Sequence, residues 1–261
     1  MNAMSFLFDS VMITASPSPA SIPAPVTTRD GSNELAALVD RLLRERYSAR
    51  YYLPDKIERH IIEEIVDAAN CAPSGNNMQP WRVYCIAGDV KNAMSAEMVQ
   101  AHKHKEPYAA RYEYYPPAST FPSEYAARRF AFGKFFYGHL GIARDNLAAR
   151  DAVLISNYEF YGAPVALIFT INSELRQGSW MDLGHFMQSI TIGARARGLE
   201  SVTQLSVPKY DEIIRKHLPI AEDELVACAM AIGYPDLEKI TEHYHRPPKR
   251  SLADVLEIHG M

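Results

Sequence analysis

The chain of 261 residues has few cysteines and no long apolar run. Its three cysteines, Cys71, Cys85 and Cys228, are scattered and form no C-x-x-C pair. Such spacing does not support a disulfide framework, and it favours a reducing, cytoplasmic location. No apolar stretch reaches the roughly 18 residues that a membrane-spanning helix requires, so we expect no membrane partner.

The sequence also lacks an excess of basic residues. Lys and Arg number 27 against 31 Asp and Glu, which gives a formal net charge of −4. A nucleic-acid interface needs clustered Lys and Arg to neutralise phosphates, so nucleic acid is not an expected partner. A small anionic ligand remains compatible, because a few local arginines can outweigh a mildly acidic total.

Motifs of several enzyme classes are absent. No G-x-G-x-x-G follows a predicted strand, which argues against a dinucleotide in a Rossmann crevice, and no serine has the G-x-S-x-G surroundings of a hydrolase nucleophile. Two histidine pairs, His102/His104 and His243/His245, lack a neighbouring Cys or carboxylate that would complete a ligand set. We therefore expect solvated histidines and no metal site.

Residues 1–32 are predicted to form a flexible N-terminal extension. From residue 14 onward this stretch is rich in Pro, Ser, Ala and Thr, a composition that cannot build a core. Its first basic residue is Arg29, whereas a secretory signal peptide begins with positive charge, so we expect an intracellular extension. The folded domain is expected to span residues 33–261.

Helices and strands are predicted to alternate along this domain. Apolar periodicity predicts helices from about residue 33 and over 56–70, 123–137, 179–197 and 210–217, and strands over 81–87, 164–171, 201–204 and 225–232. Strands isolated by long stretches favour an α+β or mixed three-layer domain over a Rossmann array. In the longest helix, Ser179 with Asp182 fits an N-cap signature, and Gly198 is a natural stop.

Two arginines and a serine follow the first predicted helix in the sequence R-Y-S-A-R at residues 46–50. In an extended segment, alternate side chains share a face, so Arg46, Ser48 and Arg50 would point the same way. Two guanidinium groups and a hydroxyl suit a phosphate dianion, which arginine binds with two parallel hydrogen bonds. The alternative is a solvated basic turn.

A rigid loop rich in turn-forming residues follows the second predicted helix. Residues 72–81 read A-P-S-G-N-N-M-Q-P-W, with two prolines, one glycine and two asparagines. Its amides and backbone could hydrogen-bond a flat heterocycle that presents both donors and acceptors. The alternative is an ordinary helix-to-strand connection whose Trp81 enters the core.

Together, in this order and spacing, these two motifs resemble the nitroreductase family. The resemblance continues along residues 41–259 through five further motifs: G-A-P at 162–164, W-M-D-L-G at 180–184, G-L at 198–199, I-G-Y-P-D at 232–236 and K-R-S-L at 249–252. It implies an α+β, three-layer sandwich in which helices flank a central, mostly antiparallel sheet. It also implies an intertwined homodimer with FMN at the subunit interface.

The resemblance also implies the residues that bind FMN. Arg46, Ser48 and Arg50 would hold the phosphate and ribityl end, Tyr47 would contribute its backbone, and Arg250 would close the phosphate site from the tail. The other subunit would line the cofactor with loop residues, namely Pro73, Ser74, Gly75, Asn77 and Gln79. Gln204, Leu205 and Ser206 would pass the reactive edge of the flavin.

The activity implied is reduction of nitroaromatic compounds by NAD(P)H in a ping-pong mechanism, in which FMN takes up hydride and passes it to the acceptor. The chemistry would lie on FMN N5, so no protein residue is expected to be catalytic. Two alternatives stay open. The same scaffold could reduce quinones, enones or halogenated aromatics, or the chain could bind FMN without turnover.

A segment at about 102–150 is predicted to form an aromatic-rich lid. Eleven of the 27 aromatic residues lie between positions 108 and 137. Tyr114 and Tyr115 precede Pro116-Pro117, where a rigid turn would hold a ring against a planar substrate. Arg129 could pair with an acidic substituent on that substrate. The alternative is that these aromatics pack the core and the dimer interface.

Overall fold

The computed structural model describes residues 34–117, 119–243 and 246–261. The predicted extension at 1–32 and His245 of the second histidine pair lie outside the described residues. The boundary at residue 33 therefore stays a prediction. None of the described helices is both long and apolar enough to cross a membrane.

Eight helices and four strands are found in the part of the chain that is described. The helices are α1 (Glu34–Glu45), α2 (Arg59–Ala69), α3 (Gly88–Lys103), α4 (Ser123–His139), α5 (Leu147–Tyr158), α6 (Gln177–Arg195), α7 (Asp211–His217) and α8 (Leu237–His243). The strands are β1 (Trp81–Ala87), β2 (Val165–Asn172), β3 (Glu200–Gln204) and β4 (Glu224–Gly233).

The four strands form one antiparallel sheet in the order β1-β2-β4-β3. Every residue of β2 except Asn172 is buried, as expected for a central strand covered on both faces. Successive side chains of a strand point to opposite faces, so β2 and β4 supply apolar residues to two separate cores.

A helical layer covers each face of the sheet. On one side lie α3, α7 and the end of α5, represented by Met94, Ile213 and Tyr158. On the other side α2 and α6 pack through Ile65 and Phe186, among others. The expected α+β, three-layer architecture is confirmed.

The predicted strands agree with the structure to within one residue at each end, but the start of the longest helix was predicted wrongly. Helix α6 begins at Gln177, with Arg176 as the N-cap and no capping side chain. Ser179 is already inside the first turn and buried, and the Asp182 carboxylate accepts a hydrogen bond from the Gly75 amide. The acidic residue that suggested a cap therefore holds a neighbouring loop.

Three helices, α3, α5 and α8, were not predicted from the sequence. Helix α3 starts directly after β1 behind Ala87, which offers no capping side chain, and it buries a charged residue, Lys91, beside its methionines. A weak apolar stripe and a missing cap leave little local signal. This helix is defined by packing against the sheet and α7.

Candidate functional site

Residues 46–53 run beside the sheet and are fixed at both ends. Ser48 forms an isolated parallel bridge with Ser201 of β3, and the Ala49 amide donates to the Ser201 carbonyl at 3.3 Å. The buried Tyr52 hydroxyl donates to the Ala49 carbonyl at 3.0 Å. This packing needs Gly233 at the end of β4, where a Cβ would lie 2.7 Å from the Tyr52 ring. The segment is thereby held extended.

A cavity of about 690 Å³ opens along this segment, a size typical of small-molecule sites. Arg46, Ser48 and Arg50 all line it, but so does every other residue from Arg46 to Tyr51, so the lining does not follow the alternation of an extended segment. Tyr47 lines it as well. The structure therefore brings these four predicted residues to one concave surface, which the solvated-turn alternative does not require.

The guanidinium group of Arg50 is held against aromatic rings. Its Cζ lies 4.8 Å from the centroid of Phe136 in α4 and 5.8 Å from that of Tyr161, and it donates to the Ser48 carbonyl at 3.2 Å. Stacked guanidinium groups keep their remaining donors available to an anion while they lose freedom of movement. Arg50 is therefore positioned at the wall of the cavity before any ligand binds.

The C-terminal tail supplies further positive charge, but from residues other than the predicted one. Arg246 and Lys249 line the cavity, and Arg246 donates to the Arg46 carbonyl at 3.1 Å. Arg250 does not line it, and its guanidinium group donates to the Asp254 carbonyl. In the sequence, the basic residues on both sides of Pro247 and Pro248 were the signal that could have indicated a role for Arg246 and Lys249. Which of its members faces the cavity depends on how the tail folds back.

The cavity lining is strongly cationic. Four arginines and one lysine face one carboxylate, that of Glu159, among the described residues. Arg44 is neutralised by Asp40 at 3.2 Å, which leaves three arginines and Lys249. This donor set suits a doubly negative phosphate monoester. The remaining wall is aromatic and includes Phe132, Phe135 and Phe136 of α4.

A buried carboxylate next to this segment was not predicted from the sequence. Glu200 at the start of β3 is buried, its Oε1 accepts a hydrogen bond from Arg195, and its Oε2 has no hydrogen-bond partner in the described chain. Burial raises the pKa of Glu200 to about 7, although the nearby Arg195 and Arg46 guanidinium groups act in the opposite direction. Arg46 thus has a carboxyl group behind it that titrates near neutrality.

The turn-rich loop at 73–79 does not line this cavity. Its conformation is well defined, because Asn76, Asn77 and Gln79 adopt positive φ angles of 46–57° and the Gly75 amide donates to Asp182 at 3.2 Å. The side chains of Asn77 and Gln79 are exposed. Within one chain the loop, with Pro73 and Ser74, is therefore separate from Arg46 and Arg50. Its contact with a cofactor of the other subunit stays a prediction.

The segment after β3 contains a polar cluster. Gln204 is buried, and its Nε2 donates to Asn157 Oδ1 at 2.8 Å, while the Asn157 side-chain amide donates to Ser206 Oγ. Gln204 Oε1 has no hydrogen-bond partner among the described residues. Leu205 is 38 % exposed. The role of these three residues beside a flavin stays a prediction.

The aromatic segment before α4 divides into an anchored part and an exposed part. Tyr112 packs 4.9 Å from the Trp180 ring and donates to the Ala227 carbonyl, so it belongs to the core. The ring centroids of Tyr114 and Tyr115 lie 4.2 Å apart with the planes tilted by 51°, and the two residues remain 38 % and 49 % exposed. The Arg129 guanidinium group lies 5.1 Å from the Tyr115 ring. The contact of Tyr114, Tyr115 and Arg129 with a substrate stays a prediction.

The predicted absence of a metal site rested on the histidine pairs. His102 hydrogen-bonds Asp151 at 2.7 Å, while His104 is exposed. No group of three potential ligands converges within the described ranges. The side chain of His243 and all of His245 lie outside the described part of the chain.

The chain is similar to proteins of one family over most of its length. The sequence profile of the nitroreductase family matches residues 43–234. A 4-nitrobenzoate reductase from Pseudomonas putida is 36 % identical over 221 residues, which cover 85 % of this chain and 95 % of the relative. A nitrobenzene nitroreductase from Ectopseudomonas oleovorans is 31 % identical over 76 % of this chain and 87 % of its own length.

Solved structures agree with this assignment. The FMN-dependent nitroreductase NfnB from Mycobacterium smegmatis, in complex with NADPH, superposes with a TM-score of 0.81 at 25 % identity, covering 87 % of this chain and 100 % of its own. The FMN- and NADPH-dependent NfnB from a Sphingopyxis strain gives 0.79 at 29 % identity over 85 % and 99 % of the two chains. With a shared sequence profile and a shared fold, the chain belongs to the nitroreductase family.

Proposed function

We propose that this protein is an FMN-dependent oxidoreductase that uses NAD(P)H to reduce nitroaromatic compounds. The observation that carries the proposal is the cationic cavity at which Arg46, Ser48 and Arg50 meet Arg246 and Lys249. The named activities of the relatives, 4-nitrobenzoate and nitrobenzene reduction, support the choice of acceptor. Quinones, enones and halogenated aromatics remain possible acceptors for the same scaffold.

The residues present fit FMN. A phosphate monoester would take the charge-assisted hydrogen bonds of Arg46, Arg50 and Lys249 and the hydroxyl of Ser48, while the aromatic wall suits the apolar part of the molecule. The cations of this cavity form one phosphate-sized cluster, which matches the single phosphate of FMN. FMN supplies the hydride chemistry when it is bound.

The chain's own part in the reaction is binding, orientation and exclusion of water. Arg50 is fixed by Phe136 and Tyr161, so little freedom is lost when it binds an anion. The exposed rings of Tyr114 and Tyr115 offer a stacking surface to a planar acceptor. No side chain is assigned a covalent role.

A homodimer in the cytoplasm completes the proposal. The C-terminal tail exposes four large apolar side chains, Leu252, Val255, Leu256 and Ile258, each at least 47 % accessible. Several exposed large apolar side chains in one segment are suited to burial against a partner chain. Most residues of the loop at 73–79 are exposed and none lines the cavity of its own chain, which fits a contact with the partner's cofactor. Three free cysteines suit a reducing compartment.

Titration of the purified protein with FMN tests the proposal. We expect saturable binding of one FMN per chain and oxidation of NAD(P)H that depends on an added nitroaromatic. Binding without turnover would favour the non-catalytic alternative, and a quinone that is reduced far faster than any nitro compound would change the acceptor class. No uptake of FMN would overturn the assignment.

A further inference from the structure

A second cavity, of about 750 Å³, lies between α4 and the start of α5. It is formed by the face of α4 that includes Arg129, Gly133 and Tyr137, together with the connection to α5. The first cavity uses other residues of α4, such as Phe132 and Phe136. The described residues that line the two cavities do not overlap.

The lining of this second cavity combines four cations with aromatic rings. Arg129, Lys134, Arg144 and Arg150 line it, and no Asp or Glu does so among the described residues. Three aromatic rings complete the wall, those of Phe121, Phe130 and Tyr137. The cavity is therefore positively charged without a built-in counter-ion.

The arginines are held by rings and not by carboxylates. The Cζ of Arg150 lies 3.8 Å from the Tyr137 centroid, and that of Arg129 lies 5.5 Å from the Phe121 centroid. No ion pair of these two residues or of Arg144 occurs within the described chain, whereas the adjacent Arg128 pairs with Glu124 at 3.1 Å. Guanidinium groups placed in this way retain donors for an incoming anion.

Glycines leave room for a flat ligand. A Cβ built on Gly133 or Gly138 would meet no atom within 4 Å, so both positions border open space. Phe130 is 61 % exposed, which presents a ring face at the cavity. A glycine inside a helix lowers its stability by roughly 0.5–1 kcal/mol relative to alanine. Gly133 and Gly138 therefore destabilise α4 when the helix is considered by itself.

We propose that this cavity binds the anionic group of a ligand that also carries a planar aromatic ring, either the carboxylate of a nitrobenzoate-type acceptor or the 2′-phosphate beside the adenine of NADPH. The inference rests on the proposed function, because it assigns a ligand of that same reaction. Cations would pair with the anion while Phe121, Phe130 and Tyr137 stack against the ring. Both sources share this chemistry, and the experiment separates them.

The test measures binding to oxidised protein that has been incubated with excess FMN, without NADPH, so that no turnover occurs. The probes are 4-nitrobenzoate and adenosine 2′-monophosphate, with the uncharged nitrobenzene and adenosine as references, and affinities are read by calorimetry or ligand-observed NMR. The variants are Arg129→Gln and Arg144→Gln. Arg128→Gln is the matched control, since Arg128 is a neighbouring arginine on the same helix that does not line the cavity.

We expect Arg129→Gln and Arg144→Gln to weaken one charged probe by roughly five- to ten-fold, the effect of losing a charge-assisted bond in an open site. The affinities of the two uncharged references should change less than about two-fold in these variants. Arg128→Gln should change the affinity of either charged probe by less than about two-fold. The charged probe that responds identifies the source of the anion. Gly133→Leu, which fills the open space without changing charge, should weaken the same probe and leave the helix folded.

Unchanged affinity of both charged probes in all three cavity variants overturns the inference. An equal loss for charged and uncharged probes also overturns it, because it indicates a structural role of the arginines. FMN uptake is measured on the same preparations. Protein that takes up FMN but binds neither charged probe refutes this inference alone, and protein that binds a charged probe through these residues but takes up no FMN refutes the proposed function.

Discussion

At the scale of single residues, Arg50 carries the most specific expectation. Replacing Arg50 by Ala should weaken FMN binding by roughly ten-fold or more, because a charge-assisted hydrogen bond to phosphate contributes about 1.5–3 kcal/mol. Fluorescence titration of FMN measures this directly. Arg44→Ala is the control, since Arg44 lines the same cavity but is paired with Asp40. Equal affinities for Arg50→Ala and wild type would contradict the assignment.

Glu200 leads to a prediction about pH. Its pKa is about 7 in the folded chain and close to 4.3 in an unfolded one, so between these values the folded state binds more protons. The free energy of unfolding should therefore fall as pH rises from about 4.5 to 7 and level off above that range. Glu200→Gln keeps a hydrogen-bond acceptor for Arg195 and removes this dependence.

Thermal unfolding of wild type and Glu200→Gln across this pH range tests the expectation. A pKa of about 7 in the folded chain against about 4.3 in the unfolded one changes the free energy of unfolding by about 3 kcal/mol over this pH range. The difference in Tm between the two proteins should therefore change by roughly 6–12 °C in a chain of this size. Glu45→Gln is the control, because the exposed Glu45 contacts the same Arg195 at 3.2 Å. Parallel curves for Glu200→Gln and wild type would show that Glu200 does not titrate in this range.

At the scale of elements, the aromatic segment before α4 contains one tyrosine that we expect to contact the acceptor, Tyr115, and one that packs against the protein, Tyr112. Tyr115→Ala should change the ranking of nitroaromatic acceptors, with about a five-fold change in kcat/KM for the most affected one, and leave FMN occupancy intact. Tyr112→Phe removes the hydroxyl that bonds Ala227, so it should lower the free energy of unfolding by about 1 kcal/mol and keep the ranking. If Tyr115→Ala instead lowers Tm with an unchanged ranking, the exposed pair is structural.

At the scale of the whole molecule, the prediction is that each FMN site is shared between two chains. Arg50→Ala on one chain and the double variant Asn77→Ala/Gln79→Ala on another should each bind FMN weakly as homodimers. In a mixed dimer, one site has both defects and the other is intact, so half of the FMN binding should return. FMN titration and light scattering on the co-expressed pair measure this. Mixed dimers that show no recovery would place both groups in one subunit's site.

The sequence by itself determined the strands, the α+β class and the three residues that meet at the cavity. The boundaries of β2 and β4 could be predicted because both strands are runs of apolar, partly β-branched residues. Such a run can be recognised from neighbouring residues in the sequence alone. Arg46, Ser48 and Arg50 were predicted from the alternate faces of an extended chain, and the structure places them at the cavity together with the residues between them. The resemblance of the ordered motifs supplied the architecture.

Only the tertiary structure decided how distant segments meet. Arg246 and Lys249 line the cavity, whereas Arg250 does not. Glu200 is buried at the start of β3. The Asp182 carboxylate accepts a hydrogen bond from the Gly75 amide and does not cap its own helix. Burial and proximity between segments far apart in sequence produce each of these contacts, and no local pattern encodes them. The cationic cavity of α4 could not be predicted from the sequence for the same reason, because it forms only where that helix meets the start of α5.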